Sequence, residues 1–342
     1  MQPEIEKILG TLELLTQPDL YFELPYHDDG GNFVPFTWDV SKWGNFNIRN
    51  LCLSNGWLQI TDADATVKQW QNLEYLRSFR YFDVSDVSLE QQNIWRNKIE
   101  NLFQLLQNNL TKLESFFLAS QLKSYCWHLK LNDDTSYYRT IDLPGIIIGE
   151  TKNGDWIGVS HTFYKLIEIP PEMIYRSEEI ETESDILLEE NTLDLIAKFQ
   201  AVTSDLDTIH LDGDFGDAYP WNTYDHKFVF TAAKTKELVF EKILQATKCL
   251  EINQFYSLYP NMTYLEEDYY SCYGLDKNEI SSEFEDLSEK YNIINRLFQQ
   301  SFDQTLIYRF SFWMQEYIYV LGQTQGKNLV GLYLESELTY NL

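Results

Sequence analysis

Gly145-Ile-Ile-Ile-Gly149-Glu-Thr151-Lys-Asn-Gly154-Asp-Trp-Ile157-Gly158-Val159 and Tyr317-Ile-Tyr-Val-Leu-Gly322-Gln-Thr324-Gln-Gly326-Lys-Asn-Leu-Val330-Gly331-Leu332 are the two stretches that decide the fold. Gly149, Thr151 and Gly158 map onto Gly322, Thr324 and Gly331 with one constant displacement of 173 residues. Each stretch reads as an apolar strand, a polar glycine-containing turn and a second apolar strand, which is the pattern of a β-hairpin. Two hairpins in the same register within one chain imply a duplicated unit.

The flanking sequence extends the duplication outward. Upstream of the first hairpin, Trp95, Ile99, Leu102, Phe103, Leu106, Leu110, Leu113 and Phe117 recur at spacings of three and four. Upstream of the second, Phe284, Leu287, Tyr291, Ile294, Phe298 and Phe302 do the same. Both runs predict amphipathic helices with one apolar face. A strand with period two follows each, with Tyr125, Trp127, Leu129 and Leu131 on one face in the first and Tyr308, Phe310 and Phe312 in the second. Each half also opens on a helix. Ile5, Ile8, Leu9, Leu12 and Leu15 line the first; Ile196, Phe199 and Val202 line the second, with Thr192 as its N-cap. A proline-containing segment comes next, Phe33-Val-Pro35-Phe-Thr37-Trp38 in one half and Tyr219-Pro220-Trp-Asn-Thr223-Tyr224 in the other. Helices packed on antiparallel sheets make an α+β protein. The expected organisation is two similar α/β/α-sandwich domains, residues 1–170 and 191–342, joined by an acidic linker over 171–190 that contains Glu178-Glu179-Ile-Glu181-Thr-Glu183.

Composition limits the function. The chain has 342 residues, 53 Asp+Glu against 26 Lys+Arg, and a formal charge of −27. Phosphate backbones and anionic membrane surfaces bind clustered cations, so direct nucleic-acid and membrane binding are both excluded on charge. A basic protein partner is favoured instead. Residues 1–170 hold 22 acids and 14 bases, net −8, which leaves −19 for residues 171–342. The start Met1-Gln-Pro-Glu has no basic region and no apolar run of signal-peptide length, and no apolar stretch approaches a membrane span. Cys52, Cys126, Cys249 and Cys272 lack metal-site spacing and read as reduced thiols of a cytoplasmic protein.

Catalytic patterns are absent. Asp214-Phe-Gly216 spells the magnesium tripeptide of protein kinases, but no glycine-rich phosphate loop, strand lysine or catalytic loop accompanies it. His210, Asp212, Asp214 and Asp217 lack the spacing of an EF-hand. His27, His128, His161 and His226 share no motif, and His161 beside Ser160 has no third triad member. Neither an enzyme nor a cofactor or metal site is expected. The acidic run Asp212–Asp217 reads either as a surface loop suited to a basic partner or as a solvated turn. The stretch with Tyr259, Tyr264, Tyr269, Tyr270 and Tyr273, with Glu266, Glu267 and Asp268 among the rings, reads either as a patch suited to a basic protein or as rings that fill the core and cover the sheet.

Ile307-Tyr-Arg309, Tyr317 to Thr324 and Gly326-Lys-Asn-Leu-Val-Gly331-Leu resemble the end of the nuclease A inhibitor family. The resemblance covers most of residues 190–342, and the first half matches more weakly. It implies an α/β/α sandwich that blocks a sugar-non-specific, metal-dependent nuclease without catalysis of its own. Members of that family present a glutamate after the first helix and a C-terminal threonine to the nuclease metal. Counting from Gly331, the threonine falls on Thr339, although the chain continues through Tyr340, Asn341 and Leu342. For the glutamate, the second half offers Asp212, Asp214 and Asp217, and the first half offers Glu23 in Leu20-Tyr-Phe-Glu23. The family's Asp-Trp pair has its nearest counterpart in Glu279-Ile280. The alternative is an adaptor or immunity-type interaction protein on the same scaffold with a partner that is not a nuclease.

Overall fold

The computed structural model describes residues 3–22, 31–72, 89–118, 124–129, 136–141, 145–162, 175–179, 188–204, 206, 209–213, 222–258, 277–312, 315–324 and 328–337. The elements run α1 (Pro3–Leu15), β1 (Tyr21–Phe22), β2 (Gly31–Asn32), β3 (Val34–Thr37), α2 (Val40–Trp43), α3 (Ile48–Ser54), β4 (Leu58–Thr61), α4 (Ala63–Asn72), α5 (Leu89–Asn109), β5 (Leu110–Leu118), β6 (Ser124–Leu129), β7 (Ser136–Ile141), β8 (Ile146–Thr151) and β9 (Trp156–His161). They continue with β10 (Tyr175–Glu179), α6 (Glu190–Thr203), β11 (Ile209–Gly213), β12 (Asn222–His226), β13 (Phe228–Ala233), α7 (Lys236–Ala246), β14 (Leu250–Leu258), α8 (Lys277–Ser301), β15 (Thr305–Phe312), β16 (Gln315–Gln323) and β17 (Leu329–Glu337). The protein is α+β. Two large sheets have the orders β13-β9-β8-β5-β4 and β10-β14-β15-β16-β17-β3, and β1-β2, β6-β7 and β11-β12 form separate two-stranded ribbons. Every pairing in them is antiparallel.

The two diagnostic hairpins fold in the same register. Ile147 pairs with Val159 in β8–β9, and Val320 pairs with Leu332 in β16–β17, each residue displaced by 173. The turns close alike, with the Thr151 N–H donating to the Asp155 carbonyl at 2.7 Å and the Thr324 N–H to the Asn328 carbonyl at 3.0 Å. A second set of equivalences, displaced by 192, links α3–β4 to α7–β14. Gln59 pairs with Phe117 on β4–β5 as Glu251 pairs with Arg309 on β14–β15. Gly56 (φ 70°) and Lys248 (φ 68°) occupy the same left-handed position after their helices. Their N–H groups donate to the carbonyls of Leu53 and Gln245, and the next residues, Trp57 and Cys249, donate to Cys52 and Leu244. The left-handed residue reverses the chain out of the helix and straight into a strand.

The two halves are interlocked rather than side by side. β3, from the first half, completes the six-stranded sheet by pairing with β17 (Val330↔Thr37 to Tyr333↔Val34). β13, from the second half, completes the five-stranded sheet by pairing with β9 (Phe228↔His161 to Ala233↔Trp156). The opening helices follow their strands. Ile5, Ile8 and Leu12 of α1 bury against Leu287, Tyr291, Ile294 and Phe298 of α8, while α6 packs on α5 and β13 through Leu195 and Phe199. This redraws the expected organisation in three ways. The stretch 171–190 does not separate two self-contained sheets, and within it β10 pairs with β14 at the edge of the six-stranded sheet. The strand equivalent to β3 is β13, not the segment around Pro220, whose residues 222–226 form β12 and whose residues 219–221 lie outside the described residues. The helix expected to run through Phe117 ends at Asn109, and Leu110, Leu113 and Phe117 lie on β5. Spacings of three and four over so few residues fit either state, and Ser115-Phe-Phe117 carries the aromatic bias of a strand.

Each sheet has helices on both faces. α1 and α8 cover the outer face of the six-stranded sheet, and α4, α5 and α6 cover that of the five-stranded sheet. The middle layer is shared. Trp57, entering from α3, packs against Phe310, Phe312 and Tyr317 with ring centroids 4.4–5.4 Å apart, and α7 inserts Val239, Phe240 and Ile243 against the five-stranded sheet. Cys52 and Cys249 are buried there as free thiols, and burial pushes the Cys249 thiol up to about 12. Neither forms a reactive thiolate at neutral pH.

Candidate functional site

Asp155, in the turn of the first hairpin, shows how the halves are pinned. Its carboxylate is 1% exposed, yet it pairs with Lys234 Nζ at 2.7 Å and accepts from the Glu189 N–H (3.0 Å) and the Thr192 hydroxyl (2.8 Å). Thr192 is therefore not the N-cap of α6. That residue is Glu189, which makes no capping bond through its own side chain, and Asp155 caps the helix from the other half. Burial alone would raise the Asp155 carboxyl; Lys234, the Glu189 N–H and Thr192 together hold it below the usual aspartate value. Glu114 makes a second junction, bound to Arg49 of α3 at 3.4 Å and to Lys236 of α7 at 2.5 Å. These contacts join elements and belong to the architecture.

The six-stranded sheet carries the unusual chemistry. Arg309 on β15 is 1% exposed and is held by Glu316 of β16 through two bonds, Nε to Oε2 at 2.5 Å and Nη2 to Oε1 at 2.7 Å. The Ser311 hydroxyl donates to the same Glu316 Oε1 at 3.0 Å, and the more exposed Glu251 of β14 stands 3.7 Å from Nη1. The antiparallel register produces this cluster, because Ser311 faces Glu316, Arg309 faces Glu251, and Glu316 faces the buried Ser336 of β17. In the first half the equivalent positions of Arg309 and Glu251 are Phe117 and Gln59, and the residue 173 before Glu316 is Leu143. One copy of the fold thus manages without the ion pair. Buried pairs rarely out-stabilise well-packed apolar residues, so stability alone gives no reason for its presence in the other copy.

The expected contact residues fall into two groups. Asp212 lies on β11, opposite Thr223, in a ribbon that comes next to β6. Glu23, Asp214, Asp217 and Thr339 lie outside the described residues, as do the tyrosines from Tyr259 to Tyr273. The elements next to Glu23 and Thr339 are described. β1 ends at Phe22 and β17 at Glu337. Gly31 of β2 sits so close to Glu335 of β17 that a Cβ there would collide with the Glu335 carbonyl oxygen. Exchange therefore places the ribbon β1–β2 of the first half beside the last strand of the second. Sequence reading missed the Arg309–Glu316 cluster, whose signal was a charged residue breaking an apolar alternation on each of two neighbouring strands. His161, weighed as a lone catalytic histidine, is 1% exposed among Trp70, Trp95 and Phe228, at the start of the exchanged β13–β9 pairing.

Among the described residues no group of three or more His, Cys, Asp or Glu side chains could hold a metal ion, and no helix is long and apolar enough to cross a membrane. Comparison with protein-family models and with curated proteins gives no match to this chain.

Proposed function

We propose that this is a non-enzymatic, acidic binding protein of the cytoplasm that inhibits a sugar-non-specific, metal-dependent nuclease by occluding its basic active-site groove. The reading rests on the charge of −27, which suits a groove built for phosphates, and on the resemblance of residues 307–332 to nuclease A inhibitors. One structural observation carries it further. The strand before Glu23 lies in the ribbon β1–β2 of the first half, and Gly31 of that ribbon packs against Glu335 of β17, the strand before Thr339 in the second half. An acidic group after the opening helix and a hydroxyl after the last strand are the two groups that the resemblance assigns to the nuclease metal, for which hard oxygen ligands are suited. In this reading the contacting head is composite, and the Arg309–Glu316 pair fixes the sheet beneath it. Asp212, Asp214 and Asp217 follow α6 in sequence, Asp212 on the separate ribbon β11–β12, and supply the second acidic stretch of the chain in this reading.

The test is a titration of a metal-dependent, sugar-non-specific nuclease with the full-length chain, read as DNA hydrolysis. The expected result is inhibition at micromolar concentration or below that weakens with added salt. Glu23→Gln with Thr339→Ala should relieve it at least tenfold, and Arg309→Phe with Glu316→Leu should relieve it while leaving the fold intact. Inhibition lost only through Asp212→Asn, Asp214→Asn and Asp217→Asn would move the contact to the acidic run 212–217. Full nuclease activity at tens of micromolar protein would overturn the proposal.

A further inference from the structure

We draw no further inference here: the strongest candidate, the outer edge of β4 (Leu58–Thr61) in the five-stranded sheet, where Ile60 stands 66% exposed and no described residue pairs, carries nothing because nothing in the structure shows what covers it.

Discussion

The hairpins β8–β9 and β16–β17 share their register and turn closure, yet the sheets around them use that frame differently. Gly158 and Gly331 occupy the same position, but a Cβ on Gly331 would run into the Val320 carbonyl oxygen, whereas one on Gly158 would meet the Thr231 hydroxyl oxygen at 3.1 Å and Val239 at 3.3 Å. On the neighbouring strands one sheet holds Phe117 where the other holds Arg309, buried and bound to Glu316. The difference teaches that backbone register is the part the two hairpins share. On the outer face of the six-stranded sheet, Arg309 and Glu316 form a buried ion pair that packing alone does not require.

The comparison can be broken first at the glycines. Gly331→Ala should cost about 3 kcal/mol or more, because a main-chain carbonyl cannot rotate away as a side chain can. Gly158→Ala should cost about 1 kcal/mol, since the Thr231 hydroxyl can move by a few tenths of an ångström. Urea unfolding of the two variants checks this, and equal costs would mean that the two hairpins are packed alike.

The next effect concerns the pin between the halves. Asp155→Ala should destabilise by about 3 kcal/mol at pH 7, since it leaves Lys234 without its buried partner and removes the cap of α6. The folded carboxyl titrates below its unfolded value, so its contribution is complete above an unfolded pKa of about 3.9 and fades as pH falls through the lower folded value. The gap between wild type and variant should therefore narrow as pH falls below the unfolded value. Denaturant midpoints at pH 7 and pH 3 measure it. In the second hairpin the corresponding residue is Asn328, so acid should loosen the first hairpin's junction selectively.

The smallest effect lies at the paired helix exits. Lys248 holds a left-handed conformation that Gly56 adopts freely. Lys248→Gly should stabilise by up to about 1 kcal/mol, and Gly56→Ala should destabilise by about the same, since no atom lies within 4 Å of a Cβ there and only the backbone conformation is at stake. Thermal unfolding resolves a change of that size in either direction.

The two hairpins were legible because a hairpin is local. Glycines, a threonine and apolar alternation repeat at one displacement, and residues paired across a short turn need no distant partner to be recognised. The helices α1, α5, α6 and α8 were legible for the same reason, with Ile5, Ile8 and Leu12, or Tyr291, Ile294 and Phe298, each forming one face. Exchange was not legible. Val34–Thr37 and Phe228–Ala233 carry ordinary strand patterns, and nothing in a strand's own residues states which half supplies its neighbour. Pro35 and Pro220 drew the wrong pair of segments together because a proline marks a segment without fixing its register. The acidic stretch 171–190 likewise read as solvated linker, although Tyr175–Glu179 pairs with β14. Of the contact residues, Asp212 falls on a described strand and the other four do not, so the candidate site is approached through its flanks.

Interlocking is the central claim, and cutting the chain tests it most directly. A protease site inserted between Thr182 and Glu183 would divide the protein into fragments of 182 and 160 residues, apart from the inserted residues. If β3 and β13 each complete the other half's sheet, the cleaved protein will elute as one particle of unchanged mass, unfold in a single transition and separate only in denaturant. Two fragments that part at native pH and unfold independently would contradict the exchange, and with it the composite head.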